Sequence, residues 1–107
     1  SKNFISSIDD PKAYYDENGQ FRGQTFDNGF DMTHYTAEGT YAGQSYDTGF
    51  GVSHYAPDGR YMGVSYDNGL GISHYTADGS YAGQTVEGLF GEKIHYGPNG
   101  ELLGESW

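Results

Sequence analysis

The chain repeats itself every twenty residues. Aligned on a Tyr, the copies read YYDENGQFRGQTFDNGFDMT from Tyr14, HYTAEGTYAGQSYDTGFGVS from His34 and HYAPDGRYMGVSYDNGLGIS from His54. A fourth, HYTADGSYAGQTVEGLFGEKI from His74, carries one extra residue, and a fifth, HYGPNGELLGESW from His95, stops part way. A strict period of this length makes the protein an array. Each unit is one supersecondary element that buries little alone and must lean on its neighbours. The boundaries follow directly: residues 1–13 as an N-terminal cap, then units at 14–33, 34–53, 54–73, 74–94 and 95–107, all in one domain.

Each unit holds two turn signals about ten residues apart. The first set includes Thr36-Ala37-Glu38-Gly39 and Ala56-Pro57-Asp58-Gly59. Pro at the second position, and Asp or Asn before Gly, suit a type I turn followed by a left-handed Gly. The second set is Asp27-Asn28-Gly29, Asp47-Thr48-Gly49 and Asp67-Asn68-Gly69. Turns at this spacing leave strands of about five to seven residues, and no window carries a helical apolar period. The expected fold is all-β: an antiparallel meander of tandem β-hairpins forming a twisted or coiled strip, as a single-layer sheet or a hairpin solenoid. The pattern alone leaves single-layered, superhelical and partly closed forms open.

Register can be worked from the turns. Ala56 opposite Arg60 sets Tyr55 against Tyr61. Tyr46 opposite Phe50 would set Ser45 against Gly51, Gly43 against Ser53 and Tyr41 against Tyr55. The two turns together predict one continuous aromatic row through Phe21, Tyr35, Tyr41, Tyr55, Tyr61, Tyr75, Tyr81, Tyr96 and Leu102. On this register Gly and Ser/Thr share the Tyr face. His34, His54 and His74 lie on the other face with Tyr46, Tyr66, Met32, Val52 and Ile72. Phe4, Ile5 and Ile8 are placed to cover the first sheet edge. Val86-Glu87-Gly88 and the residue inserted after it mark an atypical terminal unit. Its alternation inverts unless a bulge absorbs the insertion. Trp107 takes the aromatic position of Phe26, Tyr46 and Tyr66.

Composition narrows the partners. With 15 Asp and Glu against 5 Lys and Arg, the formal charge is −10. Nucleic acid is excluded as a partner because no Lys/Arg cluster exists to neutralise phosphate. An anionic membrane surface is equally unsuited, and no apolar run approaches a membrane span, so no membrane insertion is expected. There is no Cys, hence no disulfide framework or thiolate metal site. No signal peptide is visible, and a start at Ser1 without Met reads as a mature or trimmed form.

The motif H-Y-x-x-x-G-x-x-x-G-x-[ST] resembles the short tandem β-hairpin repeats of bacterial proteins. Tyr-x-x-x-Gly at this period is similar to the YD repeats of bacterial surface and toxin-encapsulating proteins, with the YD pair itself present as Tyr15-Asp16. Tyr-x-Gly before a hairpin resembles MORN repeats, which have a longer period. The twenty-residue aromatic hairpin resembles choline-binding repeats, which use Trp-rich boxes where this chain has one Trp. These resemblances cover residues 14–107. They imply a non-catalytic role in attachment, scaffolding or shell formation, in an extracellular or cell-surface setting.

The candidate binding residues are the aromatic row: Tyr35, Tyr41, Tyr55, Tyr61, Tyr75, Tyr81 and Tyr96. Tyr gives rigid, amphipathic contact area. Carbohydrate, peptide or another protein are the expected partners, with self-association through open sheet edges. Asp27, Asp47 and Asp67 offer hard oxygen ligands and His34, His54 and His74 offer imidazoles, the secondary candidates for a divalent cation. Yet ladder spacing sets neighbouring His about 10 Å apart, too far to share one zinc with ligands at about 2 Å. No cofactor is expected. Several equal Ser/His copies do not make one preorganised catalytic site, and the expected register puts Ser and His on opposite faces. The reading is therefore a non-enzymatic module for binding or scaffolding. A purely structural spacer, an engineered array and a divalent-cation-dependent module are the alternatives.

Overall fold

The structure is a computed structural model and describes residues 12–29 and 31–107. Phe4, Ile5 and Ile8, and with them the expected cap, lie outside the described residues. Ten strands follow one another: β1 (Lys12–Asp16), β2 (Phe21–Asp27), β3 (Asp31–Thr36), β4 (Tyr41–Asp47), β5 (Val52–Tyr55), β6 (Tyr61–Asp67), β7 (Gly71–Thr76), β8 (Tyr81–Glu87), β9 (Lys93–Tyr96) and β10 (Leu102–Ser106). Each pairs antiparallel with the next. Among the described residues there is no helix long and apolar enough to cross a membrane.

The meander does not stay open. β1 pairs with β10 through Tyr14↔Ser106, Tyr15↔Glu105 and Asp16↔Gly104, which closes a ten-stranded barrel. This corrects the expected twisted or coiled strip and hairpin solenoid. Closure also removes the sheet edges through which self-association was expected, because both end strands are paired. The physical reason is stagger. His34 faces Gly43 in register, but its side chain reaches Ser45, two residues farther along β4. His54, His74 and His95 make the same step past Gly63, Gly83 and Gly104 to Ser65, Thr85 and Ser106. Tyr14 repeats it past Gly23 to Thr25. Two residues of stagger per two-stranded unit is one residue per strand. That is the ratio of the familiar eight-stranded, shear-eight barrel, whose strands tilt by about 36°.

The first set of turns has the expected geometry. Ala56 N–H donates to Arg60 C=O at 2.8 Å, and Gly59, at φ +88°, donates back to Ala56 C=O at 2.9 Å. Tyr55 therefore faces Tyr61, as Tyr35 faces Tyr41 and Tyr75 faces Tyr81. The second set is one step longer than expected. Tyr46 pairs with Ser53 rather than Phe50, and Asp47 with Val52, leaving a four-residue loop. A register change of three residues is odd, so it inverts every side chain on that seam. A bulge between His34 and Tyr35, repeated in later units, then leaves Tyr41 outside and turns Gly43 inward. At that bulge glycine is obligatory. Gly63 sits at φ +138°, and a Cβ there would lie 2.1 Å from the Tyr75 carbonyl oxygen.

The interior is polar. Among the described residues no hydrophobic side chain is buried, whereas Thr25, Ser45, Ser65, Thr85 and Ser106 are. Tyr14 apart, the aromatic side chains of the strands lie on the outer wall. The insertion in the fourth unit is taken up in the loop between β8 and β9. Glu87 pairs with Lys93 and Thr85 with His95, so β9 keeps its phase.

Candidate functional site

Two arrangements repeat around the barrel, one on each side of the sheet. Outside, the expected continuous Tyr row is broken into clusters. Gln44, not Tyr41, faces Tyr55 across β4 and β5. Instead Tyr55 packs between Tyr46 and Tyr61, with ring centroids 5.7 Å away on either side. Tyr75 lies between Tyr66 and Tyr81 at 6.0 and 5.9 Å. Tyr35 lies between Phe26 and Tyr41 at 5.6 and 6.4 Å. Most of these pairs meet edge to face, the favoured geometry for rings with a negative face and positive edge. Tyr41, Tyr46, Tyr61, Tyr66 and Tyr81 remain exposed. Polar groups are fixed beside them: the Tyr41 hydroxyl donates to Gln44 Oε1 at 2.8 Å, and the Gln44 amide donates to the Asp31 carboxylate. Tyr96 pairs with Leu102 and Gln84 in the corresponding place of the last unit. Of the predicted binding residues, the structure thus gathers six into three clusters rather than one row. Phe26, Tyr46 and Tyr66 are the cluster members that the sequence register had assigned to the other face.

Inside runs a belt of imidazoles and hydroxyls. Reading around the barrel, Thr25 Oγ1 meets His34 Nδ1 at 2.7 Å, His34 Nε2 meets Ser45 at 2.7 Å, and Ser45 meets His54 Nδ1 at 2.7 Å. His54 Nε2 meets Ser65 at 2.7 Å, Ser65 meets His74 Nδ1 at 2.6 Å, and His74 Nε2 meets Thr85 at 2.7 Å. Thr85 then meets His95 Nδ1 at 2.8 Å, and His95 Nε2 reaches Ser106. At the seam Tyr14 stands where the other units have His. It accepts from Thr25 at 3.0 Å, and its ring lies 5.7 Å from that of His95. This overturns the expectation that Ser/Thr and His lie on opposite faces.

The belt couples its protons to one another. A hydroxyl has one hydrogen and a neutral imidazole has one N–H. A hydroxyl between two ring nitrogens donates to one and accepts from the other, so the proton order at one site carries through Ser45, Ser65 and Thr85 to every His. All four His share one tautomer, and the belt behaves as one directional chain. Every imidazole is held neutral. Burial lowers the pKa of His34, His74 and His95 below the usual imidazole value, with His74 adding charge repulsion at His95. His54 falls to about 4, chiefly through burial and then through the neighbouring His34 and His74.

The remaining candidates are placed apart from both arrangements. Asp27, Asp47 and Asp67 stand in the loops, where each Oδ1 accepts from the backbone N–H of Gly29, Gly49 or Gly69 at 2.9, 2.9 and 2.8 Å. Their carboxylates shape turns. Among the described residues no three His, Asp or Glu side chains come together as a metal site. Both nitrogens of His34, His54 and His74 are engaged by hydroxyls. A pocket of about 450 Å³ opens at the closure seam, lined by Tyr14, Tyr15, Asp16, Arg22, His95 and Leu103 among others.

Fold and site together define a closed antiparallel β-barrel with a hydrogen-bonded polar belt inside and aromatic clusters outside. No protein-family model, curated protein or solved structure matches the chain.

Proposed function

We propose that the protein is a non-enzymatic binding module whose outer wall presents repeated aromatic clusters to carbohydrate. The observation that supports this best is the recurrence of one three-ring cluster, built on Tyr35, Tyr55 and Tyr75, with exposed Tyr at its margins. Ring surface beside a fixed polar group, as at Tyr41 and Gln44, suits a ligand with both apolar C–H faces and hydroxyls. Equal copies a few strands apart also favour avidity over single-site affinity. Catalysis by the belt is a poor fit despite its Ser–His contacts. Ser45 is 0% exposed, so no substrate reaches a nucleophile there.

Saturation-transfer NMR against panels of oligosaccharides, proline-rich peptides and control proteins tests this. Transfer should come from ring protons of Tyr46, Tyr61, Tyr66 and Tyr81 and should weaken in Tyr61→Ser. Transfer only from a peptide would move the reading to that class, and transfer from none would end it.

A further inference from the structure

One end of the barrel carries a crown of bare apolar side chains. Where β4, β6 and β8 finish, the loops hold Phe50 at 90%, Leu70 at 90%, Leu89 at 97% and Phe90 at 81% exposure. These loops are built. Thr48 N–H donates to Gly51 C=O at 2.8 Å, and Asn68 N–H to Gly71 C=O at 2.9 Å. Asn68 Oδ1 accepts from the N–H of Leu70 and Gly71 at 2.9 and 2.7 Å, and Glu92 Oε1 accepts from Phe90 N–H at 2.9 Å. A short loop pinned in this way holds its side chain out by construction. Just inside the same mouth, Met32, Val52 and Ile72 stand in register with Ser45, Ser65 and Thr85 of the belt, and none of the three is buried. In the ladder Met32, Val52 and Ile72 also pair with Asp27, Asp47 and Asp67, so below the apolar tips the mouth alternates apolar and acidic side chains. Exposed Asp27, Asp47, Asp67 and Glu87, with half-buried Glu92, ring the tips. Against them, among the described residues, this end has Lys12 and Lys93, and Lys93 is tied to Glu87 at 3.8 Å.

We propose that this crown docks a cationic amphipathic segment of another protein, its apolar face against Phe50, Leu70, Leu89 and Phe90 and its Lys or Arg over the carboxylate rim. Charge complementarity selects this occupant. A second crown would set carboxylates against carboxylates, and an anionic bilayer would meet the same repulsion. Large contiguous apolar exposure of this kind marks interaction surfaces, and an amphipathic helix satisfies both its apolar tips and its acidic rim. The surface and the partner differ from those of the carbohydrate reading, so either can fail alone.

The single Trp of the chain provides the readout. Trp107 lies at this end, with its N–H donating to Ala13 C=O at 2.9 Å. The full chain is titrated with a Trp-free helical peptide of Leu and Lys, with a Leu/Glu counterpart and with phosphatidylcholine vesicles. The expected result is a saturable change in Trp107 fluorescence with the Leu/Lys peptide alone, weakening as salt rises. Affinity should fall about tenfold or more in F50S/L70S, whose exposed positions leave folding intact. Binding to vesicles but not peptide, equal binding of the Leu/Glu peptide, or unchanged affinity in F50S/L70S would each overturn the proposal. So would binding that emerges only in F4S/I5S/I8S, which would show that this chain's own N-terminal residues hold the crown.

Discussion

Ser45→Ala tests how much the inner belt stabilises the barrel. Ser45 is fully buried and bridges His34 Nε2 and His54 Nδ1, each at 2.7 Å. Removing its oxygen strands an acceptor nitrogen on one side and an N–H donor on the other. Each unsatisfied group costs about 1–3 kcal/mol when buried. Both imidazoles are partly open to the lumen, so the low end applies, and the expected loss is about 2–3 kcal/mol. That is a large share of the roughly 5–15 kcal/mol by which a domain is stable. Ser45→Thr keeps the hydroxyl, and Thr25 and Thr85 already occupy the equivalent place. It should stay within about 1 kcal/mol of the parent, helped by the fit of a β-branched side chain to a strand. Urea unfolding followed by Trp107 fluorescence gives both differences, with a common m-value required for the comparison. Imidazole nitrogen shifts by NMR supply a second signature. Without Ser45 the tautomers of His34 and His54 are no longer coupled, so the ring nitrogen shifts of the two should depart from the parent pattern and from each other. An Ala variant within about 0.5 kcal/mol of the parent, or a Thr variant as unstable as the Ala one, would refute the belt as a stabilising element.

The other expectations can be checked on the same protein. Since the folded chain holds its His neutral while the unfolded chain protonates them near the ordinary imidazole value of about 6.5, stability should be complete above that pH. It should fall as pH drops toward the folded value of about 4 for His54. The full His54 shift would amount to about 3 kcal/mol, reduced to about 1–2 by solvent reaching the ring. Flat stability between pH 6.5 and 5, where most carboxylates are still ionised, would contradict this. Gly63→Ala should destabilise by more than about 2 kcal/mol, because its Cβ meets the Tyr75 carbonyl at 2.1 Å. A thermal melt close to the parent would show that the bulge relaxes. Tyr55→Ala removes two ring contacts at 5.7 Å and should cost about 1–3 kcal/mol in urea. Adding a chelator should leave the melting temperature unchanged, since the carboxylates and imidazoles are already engaged in turns and belt. A fall of several degrees would reopen the cation reading.

Much of the architecture is legible in the repeat. The twenty-residue period, the two turn sets and the antiparallel order can be read from Gly, Asp and Pro alone, because those residues carry turn chemistry locally. The pairing of Tyr35 with Tyr41, Tyr55 with Tyr61 and Tyr75 with Tyr81 also follows from one turn type. The faces do not. Asp47-Thr48-Gly49 forms the expected Asx contact, with Gly49 N–H on Asp47 Oδ1, but the loop continues through Gly51 before pairing resumes. A local signal fixes the bend and leaves the register free, and an odd error in register exchanges inside for outside. Hence the register expected from the turns separates Ser45 from His54, and the fold bonds them. One signal was available: Gly43, Gly63 and Gly83 recur two residues before Ser or Thr, in strands otherwise able to carry side chains. Glycine in a strand interior marks a bulge or a close backbone approach, and both occur here.

Closure is a property of the whole array, which is why no single unit announces it. Within one hairpin, His34 bonds to Thr25 on one side and Ser45 on the other, and nothing tells it how many units follow. Each imidazole spends both nitrogens on hydroxyls, so an open strip of such units would end in unpaired polar groups at both edges. The sequence provides two endings that avoid this. Tyr14 replaces His in the first unit, a side chain whose hydroxyl needs only Thr25. Ser106 ends the last, bonded to His95 and paired in the ladder with Tyr14. Among the described residues no apolar side chain is buried, so directional bonds carry the specificity of their packing. A hydrophobic interior tolerates sliding between registers, since any apolar surface satisfies another. A hydroxyl–imidazole chain accepts only the stagger that places donor against acceptor, two residues per unit, and that stagger is the one at which ten strands meet. The aromatic clusters, freed from the role of a core, are thereby left on the outside.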